Sequence, residues 1–338
     1  MKENKKNNNA VSFIRVIAML SVITSHVLVS NNIYDYSVFD FSRSAFLLIS
    51  GFLYSNKNIE DKKGFLYKRI LKILLPMWIW SLFVSIVEAI TSHNYALSIS
   101  SFLITFFNLQ GLNSIILDFS FFNSRILPQV ALYWFITVIF ICYVIMVLIK
   151  GTKFDRYIKK NKFIFISILV AIQLVFALFL NIQLGYLFAF FIGYVFYSED
   201  EIDLKKVIVS FCLVLGFGIL RIILRRYIDG SLLYNEFILP SFNTIAAVFI
   251  TVLCLYLQKR TQIFNSLYNN YLYKKFESDS YFLYITHDFF LYGTFRIFGR
   301  TNNSIVDLLL FIILAVISSK VVKTVSSLLT NRLIRRQL

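Results

Sequence analysis

The stretch VSFIRVIAMLSVITSHVLVS, residues 11–30, is long enough and apolar enough to cross a lipid bilayer as one helix. It nevertheless contains two ionisable side chains, Arg15 and His26. They lie eleven positions apart, which is about 1100° of helical rotation and ~16 Å of rise, so both point from one helix face. A charge inside a membrane helix costs about 3 kcal/mol by insertion scales and usually serves a function. We therefore expect Arg15 and His26 to face a common polar cavity.

The composition of the whole chain indicates an integral membrane protein. Of its 338 residues, 58% are hydrophobic and only 15% are charged, and the mean hydropathy is +0.71. Soluble domains contain about 25% charged residues. The net charge of +16 lies largely in short segments beside apolar stretches. This pattern is typical of attachment to anionic lipid, and it argues against a nucleic-acid partner.

The basic segments predict how the helices are oriented. Lysines within residues 2–6 place the N-terminus in the cytoplasm, and the basic loops at 57–72 and 150–162 lie on the same side. Residues 92–128 then lie outside, as a re-entrant or interfacial segment. Three arginines oppose this orientation because they fall at the outer end of a predicted span, where they are either tolerated or bind an anionic external group: Arg221, Arg225 and Arg226.

We predict an all-α fold, a polytopic membrane protein with about ten transmembrane helices and both termini in the cytoplasm. One membrane-embedded domain covers residues 1–338, with basic cytoplasmic tails at 1–10 and 324–338. The approximate spans are 11–30, 37–54, 73–91, 129–149, 163–180, 182–197, 207–223, 240–258, 280–298 and 304–322.

The spacing of the cysteines and the absence of known catalytic motifs exclude several kinds of site. Cys142, Cys212 and Cys254 all lie in predicted spans, and their spacing is not that of a disulfide framework or a metal site. The sequence has no glycine-rich phosphate loop, nucleophile elbow or zinc motif. We therefore predict no metal site.

Three ionisable residues are predicted near the outer ends of the first three spans: His26, Arg43 and Glu88. From the helical rise, each lies ~5–10 Å from the outer boundary. Histidine exchanges protons near neutral pH, so His26 is a candidate base for a substrate hydroxyl. Arg43 would stabilise a developing oxyanion or hold the substrate, and Glu88 would orient the imidazole or balance the arginine. Alternatively, these side chains only lock the helices together.

A second set lies at the cytoplasmic mouths of the first and third spans: Arg15, Arg69 and Lys72. Because arginine binds phosphate in a bidentate manner, this set is a candidate site for the phosphates of coenzyme A. The alternative is attachment to anionic lipid. His287 and Asp288 are predicted near the cytoplasmic start of the ninth span. There His287 would contribute to the donor site, or the pair would only pack helices together.

The order of short motifs along the chain resembles the integral-membrane acyltransferases called the acyltransferase three family. Arg15 and His26 reproduce the arginine–ten residues–histidine pattern of that family. Ala45 stands in place of an aromatic residue of one motif, and Asp288 stands in place of a proline of another. The other matching segments are Ser50-Gly51-Phe52 downstream of Arg43, Phe65-Leu-Tyr-Lys-Arg69 followed by Pro76, Tyr133-Trp134-Phe135, and Tyr284-Ile-Thr-His287.

The resemblance implies an O-acyltransferase of the plasma membrane, similar to polysaccharide O-acetyltransferases. It would move an acyl group, acetyl above all, from cytoplasmic acyl-CoA to a hydroxyl of an exported, surface or lipid-linked glycan, with no permanently bound cofactor. His26 would be the catalytic residue, either a general base or a transient acyl carrier, and Arg15 its essential partner. The glycan-synthesis machinery is a potential partner. Two other functions fit the same residues: a polysaccharide exporter or flippase, and a non-catalytic membrane assembly partner.

Overall fold

The computed structural model describes residues 9–31, 39–116, 124–180, 182–196 and 202–335. Within these ranges the chain forms helices joined by short turns, and its β-type contact is the isolated bridge between Ile116 and Ile182. The predicted all-α class is confirmed. The α-helices are α1 (Asn9–Ser30), α2 (Phe41–Ser55), α3 (Lys62–Arg69), α4 (Leu75–Ser92), α5 (Tyr95–Phe106), α6 (Leu112–Ile115), α7 (Pro128–Ala131), α8 (Trp134–Ile149), α9 (Lys153–Lys160), α10 (Lys162–Phe179), α11 (Gly185–Val195), α12 (Leu204–Ile228), α13 (Leu239–Arg260), α14 (Ile263–Asn269), α15 (Tyr271–Thr286) and α16 (Ser304–Arg335).

Seven helical stretches within the described residues are long and apolar enough to cross a membrane. They match the first, third, fourth, fifth, seventh, eighth and tenth predicted spans. Between 11% and 50% of each apolar stretch is buried inside the protein, so a large apolar surface remains for contact with lipid. Their bounds are Asn9–Ser30, Lys62–Ser92, Pro128–Ile149, Lys162–Phe179, Leu204–Ile228, Leu233–Arg260 and Ser304–Ile334.

The other three predicted spans correspond to shorter helices. α2 has 15 residues, α11 has 11 and α15 has 16. α2 and α11 cross inside the bundle with their backbones in contact. A Cβ atom at Gly51 would lie 1.9 Å from the carbonyl oxygen of Phe190, and one at Gly193 would lie 2.0 Å from that of Leu48. Glycine is therefore needed at this crossing, and the count of about ten spans stays a prediction.

The ninth predicted span does not form one helix. α15 begins at Tyr271 rather than at residue 280, and it ends at Thr286. A 3₁₀ turn (His287–Phe290) follows, and the chain then turns at Gly293, whose φ is 74°. Tertiary contacts hold this second half in its non-helical path; for example, Arg296 Nη2 donates to the carbonyl oxygen of Ser30 at 2.6 Å.

Two π-helical turns, Ile70–Leu74 and Leu233–Ile238, each precede a helix with proline near its first residue. Proline has no backbone N–H, so Pro76 cannot donate to the carbonyl four residues before it. The N–H of Leu75 instead bonds to the carbonyl of Ile70, which widens the turn. Pro240 has the same relation to the second π turn. The first π turn lies between α3 and α4. It begins directly after Arg69 and contains Lys72.

Several remaining predictions concern the ends of the chain, and the structure describes only part of those segments. α16 continues to Arg335, so most of the predicted tail at 324–338 belongs to this helix. The lysines of residues 2–6, the predicted outer turn beyond Asn31, and Arg336 lie outside the described residues. The cytoplasmic position of both termini and the extent of the single domain therefore stay predictions. In the segment predicted to be re-entrant, α5 packs along α4.

Candidate active site

A cavity of about 560 Å³ lies inside the helix bundle. Its walls come from α1, α2, α3, the first π turn, α8 and α15. Along α1 the wall extends from Arg15 to Val29, a distance of ~21 Å along the helix axis. Both Arg15 and His26 line it, so the structure has the shared polar face that the spacing in α1 predicts. The cavity reaches through most of a hydrocarbon layer of ~30 Å.

Three cations line one end of this cavity, which we call the basic end: Arg15, Arg69 and Lys72. The Arg69 guanidinium lies 5.1 Å from the ring centres of both Tyr54 and Phe65. Its Nε is buried and has no hydrogen-bond partner among the described residues. These aromatic contacts fix the plane of the guanidinium while leaving donors for a ligand.

Arg15 is held less tightly than Arg69. Its Nη1 lies 3.4 Å from Glu277 Oε1, and 40% of its side chain is exposed. An ion pair with this much exposure contributes little to stability. The guanidinium is therefore able to turn toward an anion at the basic end.

The opposite end of the cavity contains Arg43, Asp40 and several aromatic rings. Arg43 Nη2 contacts Asp40 Oδ1 at 2.8 Å. The same guanidinium lies 5.2 Å from the ring centre of Tyr186 and 5.9 Å from that of Trp134. Arg43 is thus positioned on two sides, by a carboxylate and by aromatic faces, in the same cavity as His26.

His26 forms a polar centre with two residues from the turn after α15. Its Nδ1 lies 2.8 Å from His287 Nε2 and 3.4 Å from Asp288 Oδ1. His287 Nε2 is also 2.9 Å from Asp288 Oδ1. His287 and Asp288 are fully buried, whereas 20% of the His26 side chain is exposed. Of the three, His26 is the residue that lines the cavity.

The structure places His287 beside His26 rather than beside Arg15, Arg69 and Lys72, and its expected role at the donor site stays a prediction. Paired contacts show that α1 and α15 run in the same direction: Ser12 contacts Tyr273, Arg15 contacts Glu277, and His26 contacts His287. Because α15 begins at Tyr271, His287 lies at its far end, away from the basic end. The apolar pattern alone placed the start of this helix too late.

Glu88, which was expected beside His26 and Arg43, lies outside the cavity that these two residues line, and its role in catalysis stays a prediction. Glu88 is buried and accepts hydrogen bonds from Gln129 Nε2 at 2.5 Å and Thr294 Oγ1 at 3.1 Å. It does not line the cavity, because α4 packs mainly against α5, α15 and α16. This carboxylate instead joins three chain segments that are far apart in sequence.

Several residues near the site were not predicted from the sequence: Glu277, Asp40 and the ring of Tyr186. Nothing in their local pattern separates them from ordinary helix residues, since their roles depend on which helices meet. The ligand atoms of His26, His287 and Asp288 lie within 4.8 Å of one another, close enough to hold a metal ion. Spacing along the chain could not predict this group, because α1 and the turn after α15 are joined only by tertiary packing.

Comparison with known proteins identifies the family. A sequence profile of the acyltransferase-domain family known as acyltransferase three matches residues 8–322. The chain belongs to this family. No curated protein matches the chain, and no solved structure does. Membership of the acyltransferase three family supports acyl-transfer activity, and together with the apolar helices it indicates a membrane protein.

Proposed function

We propose that this acyltransferase moves an acyl group, acetyl above all, from acyl-CoA to a hydroxyl of an exported or surface glycan. The observation that supports this proposal is the single cavity, with three cations at one end and His26 toward the other. The basic end faces the cytoplasm of the cell that makes the glycan, where acyl-CoA is present, and the opposite end receives the glycan. The enzyme lies in the plasma membrane.

The basic end suits the phosphates of coenzyme A. Arginine and lysine donors from α1, α3 and the first π turn converge there: Arg15, Arg69 and Lys72. Between the phosphates and the thioester, acyl-CoA has a pantetheine arm of about thirteen chain atoms, which spans ~15 Å when extended. Arg15 and His26 are ~16 Å apart along α1. Phosphates bound at Arg15 therefore place the thioester carbonyl next to His26.

His26 then acts as the general base. Its imidazole takes the proton of the acceptor hydroxyl while that oxygen forms a bond to the thioester carbon. The carbon–sulfur bond breaks in the next step, and the departing thiolate takes the proton back from His26. Arg43 donates hydrogen bonds to the carbonyl oxygen as negative charge develops on it.

The opposite end of the cavity suits a sugar. Trp134, Tyr292 and Phe39 line it together with Arg43 and Asp40. Aromatic rings pack against the apolar faces of sugar rings, and the charged pair offers donors and acceptors for hydroxyl groups. This combination favours a glycan over a purely apolar acceptor.

The test uses the purified full-length protein in liposomes, with labelled acetyl-CoA and a soluble oligosaccharide acceptor. We expect His26→Ala to abolish transfer, since a general base typically contributes about 10²- to 10⁴-fold. The matched control is His93→Asn, which changes an exposed histidine outside the cavity. His93 has φ 55°, and asparagine tolerates this conformation. Transfer that is unchanged in the His26 variant contradicts the proposal.

A measurement in cells separates this function from transport. If the protein is an acyltransferase, cells carrying His26→Ala still export the glycan, but the glycan lacks the acyl group. If the protein is an exporter or flippase, the glycan stays inside. If it is a non-catalytic assembly partner, neither export nor acylation changes.

A further inference from the structure

His287 and Asp288, which lie beside His26 but do not line the cavity, have no role in the function proposed so far. His287 and Asp288 are fully buried, and both follow directly after the end of α15. A buried carboxylate is strongly unfavourable unless a cation or good hydrogen bonds accompany it. Neither oxygen of Asp288 has a well-directed hydrogen bond among the described residues. The nearest groups that can supply a positive charge to Asp288 are the two imidazoles, or an ion bound between them.

The contacts of His287 determine which of its nitrogens carries a proton. Its Nδ1 lies 2.7 Å from the carbonyl oxygen of Tyr284. A carbonyl only accepts, so Nδ1 is the donor, and in the neutral ring Nε2 is then an acceptor. His287 Nε2 faces His26 Nδ1 at 2.8 Å. When both rings are neutral, His26 Nδ1 is therefore the donor, which leaves the lone pair of His26 on Nε2, the nitrogen that a base needs.

The two rings are also aligned for this hydrogen bond. Their planes differ by 5°, and their centres are 5.1 Å apart. The separation of the centres exceeds the N···N distance only by the two ring radii, so the rings lie edge to edge in a common plane. The N–H of one ring therefore points along the lone pair of the other, which is the best geometry for sharing a proton.

Other polar groups near Asp288 are already occupied. The hydroxyl of Tyr133 donates to the carbonyl of Ile285 at 2.7 Å, and that of Tyr284 donates to the carbonyl of Leu132 at 2.8 Å. The charged group that faces His26 from α2 is Arg43, which is paired with Asp40. Asp288 thus acts on the imidazole pair, with Oδ1 2.9 Å from His287 Nε2 and 3.4 Å from His26 Nδ1.

We propose that His287 and Asp288 are positioning residues for His26: His287 selects the tautomer with a free Nε2, and Asp288 compensates the charge that the imidazole pair acquires during transfer. This inference rests on the proposed function. The acceptor hydroxyl gives its proton to His26 Nε2, and the proton on His26 Nδ1 is then shared with His287 Nε2. When the thiolate of coenzyme A departs, it takes the proton from His26 Nε2, and both rings are neutral again.

A metal ion between the same three side chains is the competing explanation. In a tetrahedral site, zinc lies about 2.0–2.1 Å from each histidine nitrogen, which places two such nitrogens about 3.3 Å apart. The two nitrogens here are 2.8 Å apart and point directly at each other. This geometry fits a shared proton better than a shared ion. Stoichiometric zinc in the purified protein, lost in Asp288→Asn, would overturn the inference.

The kinetic test compares the pH dependence of turnover at saturating acyl-CoA and acceptor. Asp288→Asn keeps the shape of the side chain but removes its charge. We expect turnover to fall by about 10- to 100-fold, a part of what a general base supplies, with the KM for acyl-CoA within about twofold of its original value. Because the protonated imidazole pair is then less stable, the acidic limb of the profile moves to lower pH by about one unit or more. The control, Asp279→Asn, changes a carboxylate on α15 that pairs with Lys323 outside the cavity, and its profile stays in place.

Two substitutions of His287 test the choice of tautomer. The amide oxygen of His287→Gln can still accept from His26 Nδ1, whereas His287→Leu cannot accept at all. We expect the glutamine variant to turn over at least about tenfold faster than the leucine variant. Equal turnover of the two variants, or an unshifted pH profile in Asp288→Asn, overturns the inference. If transfer remains dependent on His26 in those experiments, the proposed function survives.

¹⁵N NMR of histidine-labelled full-length protein measures the tautomer of each imidazole directly and does not depend on acyl-transfer activity. The chain has three histidines, and the His93→Asn and His287→Gln variants assign their signals. We expect the neutral form of His26 to carry its proton on Nδ1 and the neutral form of His287 on Nδ1. A His26 signal protonated on Nε2 in the neutral form contradicts the inference even if a variant fails to fold.

Discussion

At the scale of single residues, Arg15 and His26 share one helix face but lie in different surroundings. His26 lies beside His287 and Asp288, whereas Arg15 lies at the basic end beside Glu277. The helical repeat determines their common direction, and in the proposed function the distance between them separates donor binding from chemistry. Substitutions at the two positions should therefore affect different kinetic constants.

Arg15→Ala should weaken donor binding rather than chemistry. A charge-assisted hydrogen bond to phosphate contributes about 1.5–3 kcal/mol, so the Kd for acyl-CoA should rise by about 10-fold or more. The measurement is calorimetric titration of the purified protein with a non-reactive thioether analogue of acetyl-CoA. The control is Lys63→Ala, which removes an exposed cation of α3 that does not line the cavity. Equal Kd values for the two variants would remove Arg15 from the donor site.

At the scale of elements, the segment after α15 is held in place by tertiary contacts. Glu88 of α4 bonds to Gln129 of α7 and to Thr294. Gly293 makes this approach possible, because a Cβ atom there would lie 1.7 Å from Gln129 Nε2. The same segment carries Tyr292 into the wall of the cavity. Glu88, Gln129, Gly293 and Thr294 thus form a buried contact near the site, which we call the Glu88 joint.

Gly293→Ala should destabilise this joint. Its φ of 74° is unfavourable for alanine, and the added methyl group must displace Gln129 from Glu88. We expect a loss of about 2–4 kcal/mol of unfolding free energy, from backbone strain plus a broken buried hydrogen bond. Thermal unfolding in detergent measures the change. Gly230→Ala is a matched control, since Gly230 has φ 79° and open space around it. If both variants lose the same stability, the contact with Gln129 is unimportant.

At the scale of the whole molecule, the cavity connects two ends of different chemistry, and the direction of transfer depends on how the bundle lies in the membrane. The basic loops predict that the basic end faces the cytoplasm. Lys153 follows α8 at this end, where the neighbouring Lys150 Nζ contacts the carbonyl of Tyr54 at 2.8 Å. Asn302 lies near the opposite end, just before α16.

Cysteine labelling tests this orientation. In a chain freed of its three native cysteines, Asn302→Cys should react with a membrane-impermeant maleimide in intact cells. Lys153→Cys should react only after the membrane is permeabilised. The opposite labelling pattern would place acyl-CoA and the cations on different sides of the membrane, and donor binding at the basic end would then be impossible.

Helix periodicity and apolar length were enough to predict much of this fold. The all-α class, seven of the membrane-crossing helices and the common face of Arg15 and His26 all follow from local pattern, because a bilayer forces the backbone into helices whose length and hydrophobicity are visible in the sequence. The convergence of Arg15, Arg69 and Lys72 was predicted for the same reason, since cations gather at one end of antiparallel spans.

By itself, then, the sequence determined the class of protein, the polar face of α1 and the cluster of cations. Tertiary structure alone decided which helix packs beside α1, and with it the partners of His26. Glu88 lies outside the cavity because α4 packs against α5, α15 and α16. His287 lies beside His26 because α15 begins earlier than its apolar pattern indicates. Both outcomes depend on contacts between residues more than two hundred positions apart, whose energies no local pattern contains.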